Sequence, residues 1–125
     1  MSQPAHLVAG RRAEAIAEAY LVTQGLSLVT RNFRGKTGEI DLVMKAGTTL
    51  VFVEVRHRRG HGQGGGLASI DRGKRRKLIA TARWYLLCRR LGDRTPCRFD
   101  VVIVSGNLAA PELSWLANAF DLNDV

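Results

Sequence analysis

No apolar run in the 125-residue chain approaches the ~20 residues that a membrane-spanning helix needs. The first residues lack the basic start and continuous apolar stretch of a secretory leader. Cysteine is scarce. Cys88 and Cys97 are the only two, too few for a disulfide framework and wrongly spaced for a metal-ligand pair. A reduced, cytoplasmic setting is therefore expected. Internal repeats and linker-like stretches are absent too, and the length leaves no room for a second substantial core. One domain over residues 1–125 is the expectation.

Acidic residues are also in deficit, with 11 Asp plus Glu against 19 Lys plus Arg and a formal net charge of +8. Such an excess favours a polyanionic partner, nucleic acid or an anionic membrane, over a merely solvated basic surface. The placement of the charge selects nucleic acid. Arg72, Lys74, Arg75, Arg76 and Lys77 crowd what reads as the start of a helix, where cations oppose the positive end of the macrodipole. An anionic ligand compensates for that placement, and phosphate binds readily at helix N-termini flanked by Lys and Arg. Arg56, His57, Arg58, Arg59 and His61 extend the same positive region. The residues expected to contact nucleic acid are Arg58, Arg59, Arg72, Lys74, Arg75 and Lys77, with DNA the expected partner rather than a membrane.

The pattern of apolar residues supplies the elements. Ala13, Ile16, Ala17, Tyr20 and Leu21 form one stripe at helical period, so Gly10 to Gln24 reads as a helix stopped by Gly25. Strands follow at Leu26–Phe33, Glu39–Lys45 and Leu50–Arg58, the last rich in β-branched and aromatic residues. Ala46-Gly47-Thr48-Thr49 is a turn signal that makes the second and third strands an antiparallel hairpin. Arg59 to Gly66 holds five glycines and reads as a loop. A second helix runs to Leu91 from Ser69 or Asp71, either of which could cap it, with Gly92 ending it. Arg98–Ser105 is a fourth strand continuous enough to be buried on both faces. Trp115, Leu116 and Phe120 could add a last short element. This order predicts an α/β sandwich, a mixed sheet with a helix on each side.

A buried-looking strand that reads Val51-Phe52-Val53-Glu54-Val55-Arg56 raises a chemical question, because lone carboxylates are costly in a core unless paired or metal-bound. Glu54 and Arg56 share a face, roughly 7 Å apart. Asp41 lies in the neighbouring strand; a two-residue loop at Gly47-Thr48 places it opposite Glu54 and one at Ala46-Gly47 opposite Phe52, on the face with Glu54 and Arg56 either way. A three-residue loop without a bulge would put it on the other face. Two carboxylates and a cation converging on a sheet face suit metal-assisted phosphodiester hydrolysis, in which hard oxygen ligands hold Mg²⁺ or Mn²⁺ and the cation steadies developing negative charge. A structural acid–arginine pair would use the same residues.

Gly38-Glu39-Ile40-Asp41-Leu42-Val43 followed by Val51-Phe52-Val53-Glu54-Val55-Arg56 resembles the core of the PD-(D/E)xK nuclease superfamily. More closely the chain is similar to the YraN-like bacterial family, predicted endonucleases distantly similar to archaeal Holliday-junction resolvases. The resemblance runs from Gly10-Arg11-Arg12-Ala13-Glu14 through Arg98-Phe99-Asp100-Val101-Val102. It implies a restriction-endonuclease-like three-layer sandwich and a divalent-metal-dependent endonuclease acting on DNA, possible substrates including branched or junction DNA. It matches Asp41 and Glu54 to the metal-binding acids, and Glu14 to an acid on the first helix that completes the site. Glu39 is a weaker candidate ligand. Arg56 stands at the lysine position, and Lys74 matches a lysine near the start of the second helix. Arginine keeps the charge but not the proton chemistry, since its pKa exceeds ~12. A phosphate clamp is the role left to it.

Other readings are weaker. The glycine loop has neither Gly-x-x-x-x-Gly-Lys-Ser/Thr nor Gly-x-Gly-x-x-Gly spacing, and His57, His61 and a cysteine lack zinc-ligand spacing. Asp100 could pair with a site arginine or satisfy a loop backbone. A non-catalytic DNA-binding or partner-binding module that keeps the nuclease fold is the alternative function. A homodimer would suit an enzyme cutting two strands, but no symmetric interface is readable.

Overall fold

The computed structural model describes residues 5–58, 70–92 and 94–122. Helix α1 (Ala5–Thr23) leads into β1 (Ser27–Gly35), β2 (Gly38–Ala46) and β3 (Thr49–Arg58). Helix α2 (Arg72–Cys88) follows, then β4 (Cys97–Ser105) and β5 (Glu112–Phe120). The strands form one sheet in the order β1-β2-β3-β4-β5, antiparallel except for the parallel β3–β4 pair. The glycine-rich segment, with Arg59 and His61, lies outside the described residues.

Each face of this mixed sheet is covered by one helix. Ala13, Ala17 and Leu21 of α1 pack on Leu42, Met44, Val51, Val53, Val102 and Val104. On the opposite face Leu78, Ile79, Ala82, Tyr85 and Leu86 of α2 meet Ile40, Val43, Phe52, Phe99, Val101 and Ile103. Strands β3 and β4 alternate between the two clusters and are apolar on both sides, the pattern of a strand with a helix on each face. The architecture is thus an α/β sandwich, compatible with the restriction-endonuclease-like arrangement.

Both helices end in the same hydrogen-bond pattern but with different residues. After α1, Leu26 N–H bonds Leu21 C=O (3.1 Å) and Gly25 N–H bonds Val22 C=O (3.1 Å), with Gly25 at φ 98°. This is a Schellman stop with glycine in the left-handed position. After α2 the corresponding bonds are Leu91 N–H to Leu86 C=O (2.8 Å) and Arg90 N–H to Leu87 C=O (3.1 Å). Here Arg90 takes the left-handed conformation, at φ 56°. Helix α2 therefore ends at Cys88, short of the expected Leu91, and Gly92 is not its stop. Its other end is as expected: Asp71 is the cap, its Oδ1 accepting Lys74 N–H at 2.8 Å.

The β2–β3 turn is the two-residue Gly47-Thr48 loop, closed by Ala46 opposite Thr49. Gly47 takes φ 63°, as the first central residue of a type II′ turn requires. The register then runs to Leu42 opposite Val53. Strand β5 is longer than the short last element anticipated. It is tied to β4 by Asp100, which is fully buried and accepts from Trp115 Nε1 (2.9 Å), Asn118 N–H (2.9 Å) and the Arg98 guanidinium (3.0 and 3.2 Å). Asp100 thus pairs with Arg98 and a strand backbone, and its role is to hold the sheet edge.

Candidate active site

Asp41 marks a break in the alternation of β2. Ile40 and Val43 both pack on the α2 side, whereas Leu42 and Met44 both pack on the α1 side. Strict alternation would have put Asp41 beside Val43 on the α2 face. At the break its Oδ2 instead accepts the Val55 N–H at 2.8 Å, just past the end of the β2–β3 register. A carboxylate has taken the place of a ladder partner where the two strands part.

Around Asp41 the structure gathers acids from α1 and β2. One carboxylate oxygen from each of Glu14 (α1), Glu39 and Asp41 (both β2) lies within 4.8 Å of the others. Asn32 holds two of the three: its Nδ2 donates to Glu14 Oε1 (2.9 Å) and to Glu39 Oε1 (3.1 Å). Arg34 Nε donates to Glu39 Oε2 at 2.6 Å. Glu39, the weaker of the expected ligands, is therefore a full member of the cluster. Glu54 is not in that trio. Buried, it faces Lys74 Nζ at 3.4 Å and Arg56 Nε at 3.8 Å.

The two central acids hold their protons unusually tightly. Asp41 is pushed up to about 8 by burial first, then by the charge of Glu54 and less by Glu14 and Glu39; the Val55 N–H pulls the other way. Burial also raises Glu54, outweighing Lys74 and Arg56, which favour its ionised form. Like charges brought together out of water behave in this way. A cation relieves the strain directly.

The donor set fits a hard divalent cation. All three donors of the trio are carboxylate oxygens, as Mg²⁺ and Mn²⁺ prefer. An ion bound at about 2.1 Å places its ligands within about 4.2 Å of one another, so the trio needs only a small contraction. Among the described residues this group consists of carboxylates alone.

Sequence reasoning had not singled out Asn32. Its signal was there: asparagine is depleted in strands and tolerates left-handed backbone, and it takes φ 51° in the middle of β1. The register places it across from Asp41, between the Arg31–Leu42 and Phe33–Ile40 pairs. The expected basic patch, by contrast, divides. Arg72 and Lys77 are exposed, Lys74 turns to Glu54, and Arg75 is half-buried with an Nε that meets no acceptor among the described residues. Arg58 is half-buried at the end of β3.

A model of the uncharacterised protein family UPF0102 matches residues 13–104, most of the chain. The chain belongs to the UPF0102 family. UPF0102 relatives agree over nearly full length. One from Methylococcus capsulatus is 49% identical over 112 residues, covering 90% of this chain and 89% of the relative. Another, from Pseudomonas paraeruginosa, is 48% identical over 114 residues, with 90% and 91% covered. A third, from Pseudomonas fluorescens, is 46% identical over 121 residues, with 97% and 99% covered. The UPF0102 match takes in Glu14, Glu39, Asp41, Glu54 and Lys74, and it stops before β5.

Proposed function

We propose that this UPF0102 chain is a nuclease of the PD-(D/E)xK type that hydrolyses DNA phosphodiesters with Mg²⁺ or Mn²⁺. The supporting observation is the half-buried carboxylate trio around Asp41, whose pKa is raised to about 8, set beside a fourth acid, the buried Glu54, which two cations face. Glu14, Glu39 and Asp41 would hold the ion, with Glu54 in the same field. The ion would supply Lewis-acid polarisation of the phosphate and a more acidic water. The chain's own residues do the rest. Asn32 and Arg34 fix the outer carboxylates, and the Val55 N–H fixes Asp41. Arg56 presents charge for a phosphate oxygen, and Lys74 adds a second cation beside Glu54.

The substrate class the resemblance points to is branched or junction DNA, and a dimer would let two strands be cut together. The alternative is a DNA-binding module without turnover. It is favoured by the Lys74–Glu54–Arg56 contacts, which would form a self-sufficient ion triad in a silent site. Incubation of the protein with linear, nicked and four-way-junction DNA, with and without Mn²⁺, separates the two. Metal-dependent cleavage that falls at least a hundredfold in Asp41→Asn and Glu54→Gln, with folding intact by circular dichroism, is the expected result. Salt-sensitive DNA binding without cleavage would leave the binding module; cleavage equal to wild type in both variants would remove this site.

A further inference from the structure

Trp84 projects from α2 with half of its surface exposed, off the buried stripe of Leu78, Ile79, Ala82, Tyr85 and Leu86. It walls a cleft of about 380 Å³ together with Ala80 and the β1–β2 hairpin tip, Gly35-Lys36-Thr37. That volume is in the range of small-molecule sites. The cleft is built rather than incidental. A Cβ added at Gly35 would lie 3.0 Å from Trp84 Cδ1, so any other residue would seat the hairpin only if the indole gave way by a few tenths of an ångström. Thr37 Oγ1 and Thr81 Oγ1 share a 2.7 Å hydrogen bond, and Thr81 Oγ1 also bonds Lys77 C=O at 2.8 Å. Hairpin and helix are clamped together there.

Position and charge identify the occupant. The cleft is mostly apolar, walled on one side by the Trp84 indole, and the exposed Lys36 is the cation among its lining residues. The hairpin that forms it continues into Glu39 and Asp41, and the helix that forms it begins beside Glu54. Lys74 to Trp84 spans about 15 Å of helix, the rise of about four stacked nucleotides. Aromatic faces beside cations are the usual platform for unpaired bases. We propose that the Trp84–Gly35 cleft stacks an unpaired nucleobase of the strand bound at the acid cluster. The proposal rests on the DNA-directed reading given above.

The test uses the full chain in EDTA, so that no cleavage is required, with a fluorescein-labelled oligodeoxythymidine and a blunt duplex of equal length. Indole fluorescence should be quenched by the single strand. Trp84→Leu should lose that quenching and bind the single strand ten- to hundredfold more weakly by anisotropy, while duplex affinity stays within twofold. Trp84→Phe should restore most of the single-strand affinity, and Gly35→Ala, which crowds the indole without changing charge, should weaken it. Equal single-strand affinity in wild type and Trp84→Leu overturns the proposal, as does a loss that phenylalanine does not rescue, which would mark a protein-docking or structural tryptophan. In a parallel assay with Mn²⁺ in place of EDTA, cleavage by a protein that shows no quenching leaves the nuclease reading standing and removes the stacking site. Quenching with no cleavage in that parallel assay does the reverse, and absence of both oligonucleotide binding and cleavage removes both.

Discussion

Asp41 is held by one backbone N–H and surrounded by three other acids, and this makes its ionisation a measure of the whole cluster. With its folded value near 8 and an unfolded value near ~3.9, the folded protein binds more protons than the unfolded chain between those limits. Its contribution to stability is therefore fully present below about pH 4 and is lost as pH rises toward 8. Metal-free protein should melt several degrees lower at pH 8 than at pH 5, and Asp41→Asn, which keeps the acceptor for Val55 but not the charge, should flatten that slope. Mn²⁺ should stabilise the wild type more at pH 8 than at pH 5, because ion and proton compete for the same oxygens. A melting curve indifferent to both pH and Mn²⁺ would remove the cluster's special character. Arg56 poses a separate question. It is half-buried 3.8 Å from Glu54, so it keeps charge near the acids without being able to lose a proton. Arg56→Lys separates the roles. A rise in single-turnover cleavage rate is expected if water activation limits turnover; a fall of tenfold or more, from loss of the bidentate donor, would assign Arg56 to phosphate binding alone.

At the level of elements, α2 carries an unrelieved cost at its C-terminus. Arg90 occupies the left-handed position of a Schellman stop, where a side chain costs ~1–2 kcal/mol. Arg90→Gly should stabilise the fold by about 0.5–1 kcal/mol in urea unfolding, the gain being reduced by the greater freedom of glycine in the unfolded chain. No gain would mean that interactions of the exposed Arg90 side chain offset the strain. This helix end also shows what a sequence can reveal. Gly25 was legible because local chemistry alone decides it; the hairpin turn was legible as a turn, but its register was open between Gly47-Thr48 and Ala46-Gly47 until the fold took the first. Gly92 misled because the arginine two residues earlier already closes the helix. The face of Asp41 was likewise not readable from hairpin parity. The alternation breaks at that residue, and the break depends on Asn32 in another strand and on the Val55 N–H across the pair. Asp100 is the same case at longer range: its partners Trp115 and Asn118 are 15 and 18 residues away, so only the folded β5 brings them to it. The sandwich and the β2–β3 hairpin could be read from spacing, which also singled out Asp41 and Glu54 as carboxylates to be explained. The geometry that groups Glu39 with Glu14 could not, since it rests on long-range hydrogen bonds.

On the scale of the whole molecule, the proposed DNA binding would give the excess of cations two uses that binding measurements can separate. Arg72 and Lys77 are exposed on the first turns of α2, while Lys74, on the same turns, is spent on Glu54. The helix start is not an undivided phosphate track. Each cation that neutralises a phosphate contributes about 0.9 to the slope of log affinity against log salt concentration. Arg72→Gln and Lys77→Gln should therefore each lower the slope for duplex DNA by about 0.9 and weaken binding equally for all sequences. Lys74→Gln should leave the slope nearly unchanged and instead reduce cleavage, because it uncovers a buried carboxylate rather than a phosphate. Salt titrations by fluorescence anisotropy, paired with single-turnover cleavage of the same DNA, read both quantities. If Lys74→Gln lowered the slope as Arg72→Gln does and cleaved at the wild-type rate, Lys74 would belong to the DNA track, and the acid cluster would work without a lysine.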